Sequence, residues 1–531
     1  MAAPNGYLAL ILHAHLPYVR HPEHEHFLEE DWLYEAITET YLPLLELLNR
    51  LADDGVPFAL TMSLTPPLCH MLRDSLMQER YTAHLGRTVA LARAEVARTQ
   101  DDDGFRDVTR FYLERLLKCQ QAWEDRWKRD LIAAFADLQN RGVIEIITCA
   151  ATHGFLPLME TYPKAVRAQI MIARDQYREL FGRDPRGIWL PECAYMTSLD
   201  AILREAEIRW FVLDSHGLMF GTPRPRYAVF APCYTPAGPA VFARDRESSR
   251  QVWSAELGYP GDPAYRDFYR DVGYELSHEY LRPFLGADGE RKFTGLKYWR
   301  ITGQTAEKEA YRREWALAAV DAHAGHFMAQ RAQQIATLRG TMNIDPIIVS
   351  PFDAELFGHW WFEGPEWLEM FIRKAAYDQH EFTFATPSQY LESHDTAQLV
   401  VPSASSWGNK GYWEVWLNDA NSWIYPHLHV AARRMSELAG RFNTPEKITP
   451  LLDRTLRQMA RELLLAQSSD WAFLMKTGTA PEYAARRTKE HILRFTRLYD
   501  QARAEAVDED FLANCEWRDN IFPHLDWRYY A

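Results

Sequence analysis

An α/β barrel carrying a helical insertion and a C-terminal all-helical domain is the fold that the sequence predicts, and three observations point to it. Short apolar runs of strand type alternate with helix-like stretches along residues 1–410. Many of those runs end in a loop bearing His, Asp or Glu. From Gly411 onward the pattern becomes helical. Strands alternating with helices make a parallel sheet, and about seven or eight of them close a barrel whose strand-end side chains gather on one face.

The runs, in order, justify the series. Tyr7 to Leu12 leads to His13 and His15, and Phe58 to Met62 leads to "SLTPPL". A charged, helix-periodic stretch then fills about 68–141, broken by "QDDDG" at Gln100 to Gly104, and reads as a helical hairpin inserted after the second strand. Val143 to Cys149 leads to "AATHGFLP" with His153, Gly187 to Leu190 leads to Glu192, and Trp210 to Leu213 leads to Asp214 and His216. A Pro- and Gly-rich excursion dense in Tyr and Trp occupies about 217–271, a length typical of lids and binding loops. Phe293 to Ile301, Pro346 to Ser350 (before Asp353 and Glu355) and Phe382 to Ala385 complete the strands. Helices are expected near Trp423 to Arg441, Pro450 to Gln467, Ala480 to Ala504 and Asp508 to Glu516, which divides the chain into a barrel domain, 1–410, and a helical domain, 411–531.

Composition narrows the function. Lys plus Arg number 59 against 73 Asp plus Glu, a net charge of −14 that argues against nucleic acid or an anionic membrane as partner. Six scattered cysteines without a CxxC pair read as reduced core thiols of a cytoplasmic protein, and the N-terminal apolar run is too short for a signal peptide or a membrane span. Oligomeric state leaves no signature. The 18 Trp, 26 Tyr and 26 Phe fall in loops as well as in helices, where flat rings suit stacking on sugars.

Two carboxylates flanking a neutral polar substrate are the equipment for cleaving a glycosidic bond, and Glu192 with Asp353 is the natural pair. Phe352, Leu356 and Phe357 would raise one carboxyl pKa, while His359 and Trp360 would shape the pocket; Glu355 competes for the acid role. A separation of about 5–5.5 Å would give retention through a covalent intermediate. His13 and His15 face one way on an extended chain, as two ligands of a metal would, with Asp214 or His216 as a third; that set would make a metal-dependent deacetylase- or mannosidase-like enzyme, but no HExxH-type pattern accompanies it. A non-catalytic carbohydrate-binding protein is the reading from another class.

Five segments, "HAHLPY", "ATHGFLPL", "GIWLPECAY", "SPFDAELFGHWWFEG" and "SSDWAFLM", resemble in order the signature regions of glycoside hydrolase family 57, in its α-glucan branching-enzyme and AmyC-like subgroup; "VWSAELGYPGDPAYRDFYRD" and "SSWG" extend the likeness. The resemblance implies a distorted (β/α)7 barrel, a C-terminal helical domain and a retaining mechanism on α-1,4-glucans needing no metal or cofactor. It implies Glu192 as nucleophile and Asp353 as general acid/base, with His13, His15 and His153 around the reacting sugar. Trp253, Trp407 and Trp416 are similar to the family's aromatic platforms, and Asp470 with Trp471 to its last signature. The family's branching enzymes carry a longer loop after the fifth strand with a tyrosine near its tip; here the interval from Gly217 to Val252 is short, as in AmyC-like members, and its candidates are Tyr227 and Tyr234. Branching is the expected activity, with α-amylase or 4-α-glucanotransferase as alternatives.

Overall fold

The computed structural model describes residues 4–254, 257–287, 289–394, 397–444 and 448–531. Ala255 and Glu256, inside the aromatic stretch quoted above, lie outside the described residues.

Ten strands occur among them: β1 (Gly6–Ala14), β2 (Leu60–Leu64), β3 (Ile144–Ile147), β4 (Gly187–Ile188), β5 (Trp210–Leu213), β6 (Cys233–Tyr234), β7 (Ala240–Ala243), β8 (Ile347–Asp353), β9 (Phe382–Phe384) and β10 (Gln398–Leu399). One parallel sheet runs β3-β2-β1-β8, and a second contains β7-β5-β4. A parallel bridge from Thr148 to Ile188 joins β3 to β4, and Asp245 N donates to Val349 O (2.8 Å) to join β7 to β8. The ring therefore closes on seven parallel strands, a (β/α)7 barrel. β9 pairs with the first residues of β1, while β6, antiparallel to β7, and β10 extend the second sheet.

Alternation along the strands sets what faces inward. Ala9 and Ile11 of β1, Trp210 and Val212 of β5, Ala240 and Phe242 of β7, and Ile347 and Val349 of β8 share one apolar cluster, the barrel interior. Leu8, Leu10 and Leu12 belong to the larger cluster that includes the surrounding helices. Continuing each period of two by one or two steps brings His13, Asp214, Arg244 and Asp353 to the top of that interior.

The expected strand at Phe293 to Ile301 does not form, and β7, inside the excursion read as a loop, takes the place in the ring. The backbone N–H groups of Thr294 and Gly295 are bound by the Asp271 carboxylate (3.0 and 2.9 Å) instead of by a neighbouring strand. Lys292, just before it, is buried as an ion-pair partner of Asp31 (2.7 Å), which ties the segment to the helix beginning at Asp31 instead of to the barrel.

The insertion forms a hairpin of helices Ser75–Arg98 and Arg106–Gln121, the first capped by Asp74, whose carboxylate accepts from Met77 N (3.1 Å). After the barrel come helices Ile424–Phe442, Pro450–Ala466, Ser469–Thr477, Pro481–Ala504 and Glu509–Arg518. Leu438, Leu456, Phe495 and Leu512 of four of these helices belong to the same cluster as Leu8 and Leu10, whereas Trp471 and Leu474 of Ser469–Thr477 belong to a separate cluster with Phe155 and Trp416. Among the described residues no helix is long and apolar enough to cross a membrane.

Candidate active site

The carboxyl ends of the strands open into a cavity of about 940 Å³ whose wall includes Glu192, Asp353, Arg244, Trp253, Trp360 and Trp407. β4 is only two residues long; Pro191 follows and Glu192 adopts a left-handed backbone, φ 62° and ψ 21°. A non-glycine residue there costs of the order of 1–3 kcal/mol and needs its surroundings to hold it. Cys193 N bonds back to Leu190 O (2.8 Å) and Trp407 N to Glu192 O (2.9 Å). The Glu192 side chain is thereby turned into the cavity.

Both its oxygens are held. Trp407 Nε1 donates to Oε2 (2.8 Å) and Ser469 Oγ to Oε1 (3.1 Å). Burial nevertheless pushes Glu192 up to about 7, helped by the charges of Asp470 and Asp353. Asp353, the last residue of β8 and opposite His13 in the β1 register, opens into the cavity without a side-chain hydrogen bond among the described residues. Enclosure by the cavity walls raises it to about 6. Glu355 is also raised by burial, to about 7, but it points the other way: its Oε1 takes Tyr41 Oη (2.5 Å) and His15 N (3.1 Å).

Beneath Glu192 lies a stack of imidazoles, with ring centroids of His15 and His153 at 3.8 Å and of His13 and Trp189 at 4.8 Å. Burial, then neighbouring imidazoles, holds His13 and His153 well below the usual histidine range, so both are neutral. Their contacts then run in one direction. Ser63 Oγ donates to His13 Nδ1 (3.1 Å), His13 Nε2 to His153 Nε2 (3.0 Å), His153 Nδ1 to Ser469 Oγ (2.8 Å), and Ser469 Oγ to the carboxylate that ends the chain. His15 differs: burial opposes its charge, but Asp470 at 3.1 Å outweighs burial and raises its pKa. Burial likewise opposes charge on Asp470, yet His15 holds that carboxyl down at about 2. Helix Ser469–Thr477 thus completes a site begun by the barrel.

A second group borders the cavity. Arg244, which continues the inward face of β7, pairs with Asp214 and lies 5.9 Å over the Trp407 ring. His216 bonds to Asp214 (3.3 Å) and to Gly411 O (2.8 Å). Asp214 is pulled down to about 2 against its burial by His216 and Arg244. Neither Asp214 nor His216 joins His13 and His15, so the metal set drawn from the sequence is not assembled. Among the described residues the donors that converge within 4.8 Å of one another are His13, Cys149 and His153; His15, His153 and Asp470; and, away from the cavity, Glu462, His491 and Asp519.

Several sequence-derived candidates lie elsewhere. Trp471 is 0% exposed, with Nε1 bonded to Leu465 O (2.7 Å), and packs in the core below the helix. Trp416 borders the cavity but is 1% exposed and stacked on Phe155. Tyr227 bonds to Asn343, and Tyr234 lines a separate depression with Trp210 and Arg209 at the opposite ends of the strands. The short loop brings neither to the cavity, because both are tied to β6 and its surroundings. His359 bonds to Glu39 (2.6 Å) behind the wall, whereas Trp360 and Trp253, 56% and 57% exposed, present ring surface at the cavity. The sequence reading missed Arg244 and Ser469. The alternation of Ala240, Phe242 and Arg244 would have found the first.

Comparisons with known proteins agree with this architecture. Glycosyl hydrolase family 57 matches residues 9–402, and the family described as 1,4-alpha-glucan branching enzyme, C-terminal, matches residues 427–530. A 1,4-alpha-glucan branching enzyme, TK1436, from Thermococcus kodakarensis is 34% identical over 97% of this chain and 77% of its own length. The crystal structure of the alpha-amylase AmyC from Thermotoga maritima superposes with a TM-score of 0.92 at 44% identity, covering 99% of both chains. That of a branching enzyme from Pyrococcus horikoshii superposes with a TM-score of 0.88 at 35% identity, covering 99% of this chain and 97% of that one. With its seven-stranded ring, its strand-end carboxylates and a family match spanning most of its length, the chain belongs to glycosyl hydrolase family 57.

Proposed function

We propose that the protein is a 1,4-α-glucan branching enzyme working by retaining double displacement. The observation that carries this reading is the pair of carboxyls, Glu192 and Asp353, on one cavity with opposite surroundings. With values near 7 and 6, both raised by burial, the pair is partly protonated near neutrality. Hydrogen bonds from Trp407 and Ser469 fix the Glu192 carboxylate in place, whereas Asp353, beside the charges of His15 and Arg244 but without a side-chain hydrogen bond among the described residues, is left to exchange a proton with the substrate. Glu192 therefore attacks the anomeric carbon while Asp353 gives its proton to the departing glycosidic oxygen. Asp353, now a base, then removes the proton from a 6-hydroxyl of a second chain as that oxygen displaces Glu192. Glu355, tied to Tyr41 and His15, is not free for that traffic.

His15 and Asp470 supply a fixed charge pair at the reacting sugar, and Trp253, Trp360 and Trp407 supply ring surface for the glucan. Residues 1–410 act as the catalytic barrel and 411–531 as a helical domain that contributes Ser469 and Asp470. The six cysteines are free and buried, in keeping with a cytoplasmic protein.

Hydrolysis is the second reading, favoured by the 44% identity to AmyC and by the distance of Tyr227 and Tyr234 from the cavity. Water, a 4-hydroxyl and a 6-hydroxyl compete for one intermediate, so closure of the acceptor side decides the outcome. Incubation with amylose, scored for α-1,6 linkages by proton NMR and for reducing ends, separates them. New α-1,6 signals without a matching rise in reducing ends establish branching; reducing ends alone establish an amylase.

A further inference from the structure

Aromatic rings do not stop at the rim of the cavity. Trp360, on its wall, stacks on Phe268 at 4.6 Å between ring centroids. Phe268 contacts Phe293 at 6.2 Å, and Phe293 meets Tyr274 edge-on at 5.3 Å. Phe293 and Tyr274 are not among the residues that line the cavity. Tyr274 is 54% exposed, and Tyr269, beside Phe268, 77%. Rings so exposed on a surface carrying net charge −14 are not core packing.

The row is also rigid. The buried ammonium of Lys297 sits 4.0 Å from the Phe268 centroid and 4.7 Å from that of Phe293, fixing both from the protein side. Asp271 accepts from Gly273 N (2.7 Å), Thr294 N (3.0 Å) and Gly295 N (2.9 Å), and so locks together the two segments that bear the rings. A Cβ on Gly273 would stand 2.0 Å from Lys292 O, so these backbones touch. Platforms that lose little entropy on binding are what a chain ligand needs.

We propose that Phe268, Phe293 and Tyr274 form an outer docking row for an α-glucan chain, continuous with the cavity through Trp360, which selects for long chains over short ones. The proposal rests on the glucan reading above. The occupant is the part of the substrate that overhangs the rim; the apolar faces of successive sugars suit a run of neighbouring rings, with the sugar hydroxyls left to solvent.

The test uses the full-length Glu192→Gln protein, which binds without turnover, and calorimetric titration with maltotriose and with long maltodextrin. Tyr274→Ala is expected to weaken maltodextrin binding about three- to ten-fold, the range for loss of one aromatic contact, with maltotriose affinity unchanged. Tyr274→Trp is expected to restore it. Equal losses on both ligands, or none on either, overturn the row while leaving the catalytic reading in place. If neither ligand binds and the native enzyme does not act on amylose, the glucan reading falls and the row with it.

Discussion

The floor of the cavity and its wall are built by different means. On the floor, strands place His13, Asp214, Arg244 and Asp353 by alternation, and each side chain inherits its direction from the pleat. Among its described residues the wall, from Trp253 to Lys308, has only short helical turns and isolated bridges such as Arg266 to Arg300. Its shape is kept by side chains from elsewhere. Glu95 of the inserted hairpin accepts from Tyr280 Oη (2.8 Å) and Tyr298 Oη (3.1 Å), Asp31 pairs with Lys292, and Glu363 accepts from Arg266 N (3.2 Å). The inserted helices thus buttress the wall, and the difference teaches that chemistry and acceptor choice are structurally separable in this molecule.

The sharpest test of that separation removes the floor's chemistry. Glu192→Gln or Asp353→Asn is expected to lower turnover on amylose by about 10³-fold or more, while thermal unfolding stays cooperative and wall-dependent binding of long glucans persists. Turnover near the native rate in either variant would break the assignment of both carboxyls. Trp471 marks the next contrast, since it looks like a site residue in sequence and is core in space. Trp471→Ala is expected to cost about 3–5 kcal/mol in chemical denaturation, with amylose KM little changed in the folded fraction.

A smaller effect is expected at the wall. Asp271→Ala frees the donors of Gly273, Thr294 and Gly295, so the wall loosens without touching Glu192 or Asp353. The share of hydrolysis among products, read as reducing ends per α-1,6 linkage, is expected to rise about three-fold, with total consumption of the intermediate within a factor of about three of native. An unchanged product ratio would mean that the wall does not govern the acceptor.

What was legible in sequence follows the same division. Six of the seven barrel strands, the hairpin at 75–121 and four of the C-terminal helices were readable, because local periodicity and strand-end polar residues announce them. Glu192, Asp353 and the three histidines, named from the sequence, do lie together at one end of the strands. β7 was not readable, since four residues directly after Pro236, Gly238 and Pro239 look like loop, and with β7 went Arg244. Phe293 to Ile301 imitated a strand because Phe293, Leu296, Tyr298, Trp299 and Ile301 make it aromatic and apolar; the Asp271 carboxylate that claims its backbone comes from more than 20 positions earlier, beyond any local signal. The burial of Trp471 and the remoteness of Tyr234 depend equally on partners distant in sequence.

The smallest expected effect concerns the stability that the floor forgoes. Glu192 is held near 7 in the folded protein against about 4.3 for a free glutamate. Between those values the native state binds more protons than the unfolded chain, so stability falls as pH rises through about 4 to 7, and the full penalty is present above about 7. Glutamine in its place cannot ionise. Glu192→Gln is therefore expected to be more stable than the native protein by the order of 1–3 kcal/mol at pH 8, with the gap closing near pH 4, as measured by denaturant unfolding at each pH. The donors Trp407 Nε1 and Ser469 Oγ act in the opposite sense by favouring the ionised form, and an amide oxygen keeps only one of them well placed, which holds the gain at the low end. A gap that stays constant from pH 4 to 8 would show that the carboxylate is already fully solvated in the resting enzyme. The wall's carboxylate, Asp271, is also raised by burial, which Lys297 and the backbone donors of Thr294 and Gly273 offset only in part, so loss of its charge acts in the same sense at high pH; what separates the two groups is that Asp271→Ala also frees three backbone donors and Glu192→Gln frees no backbone donor.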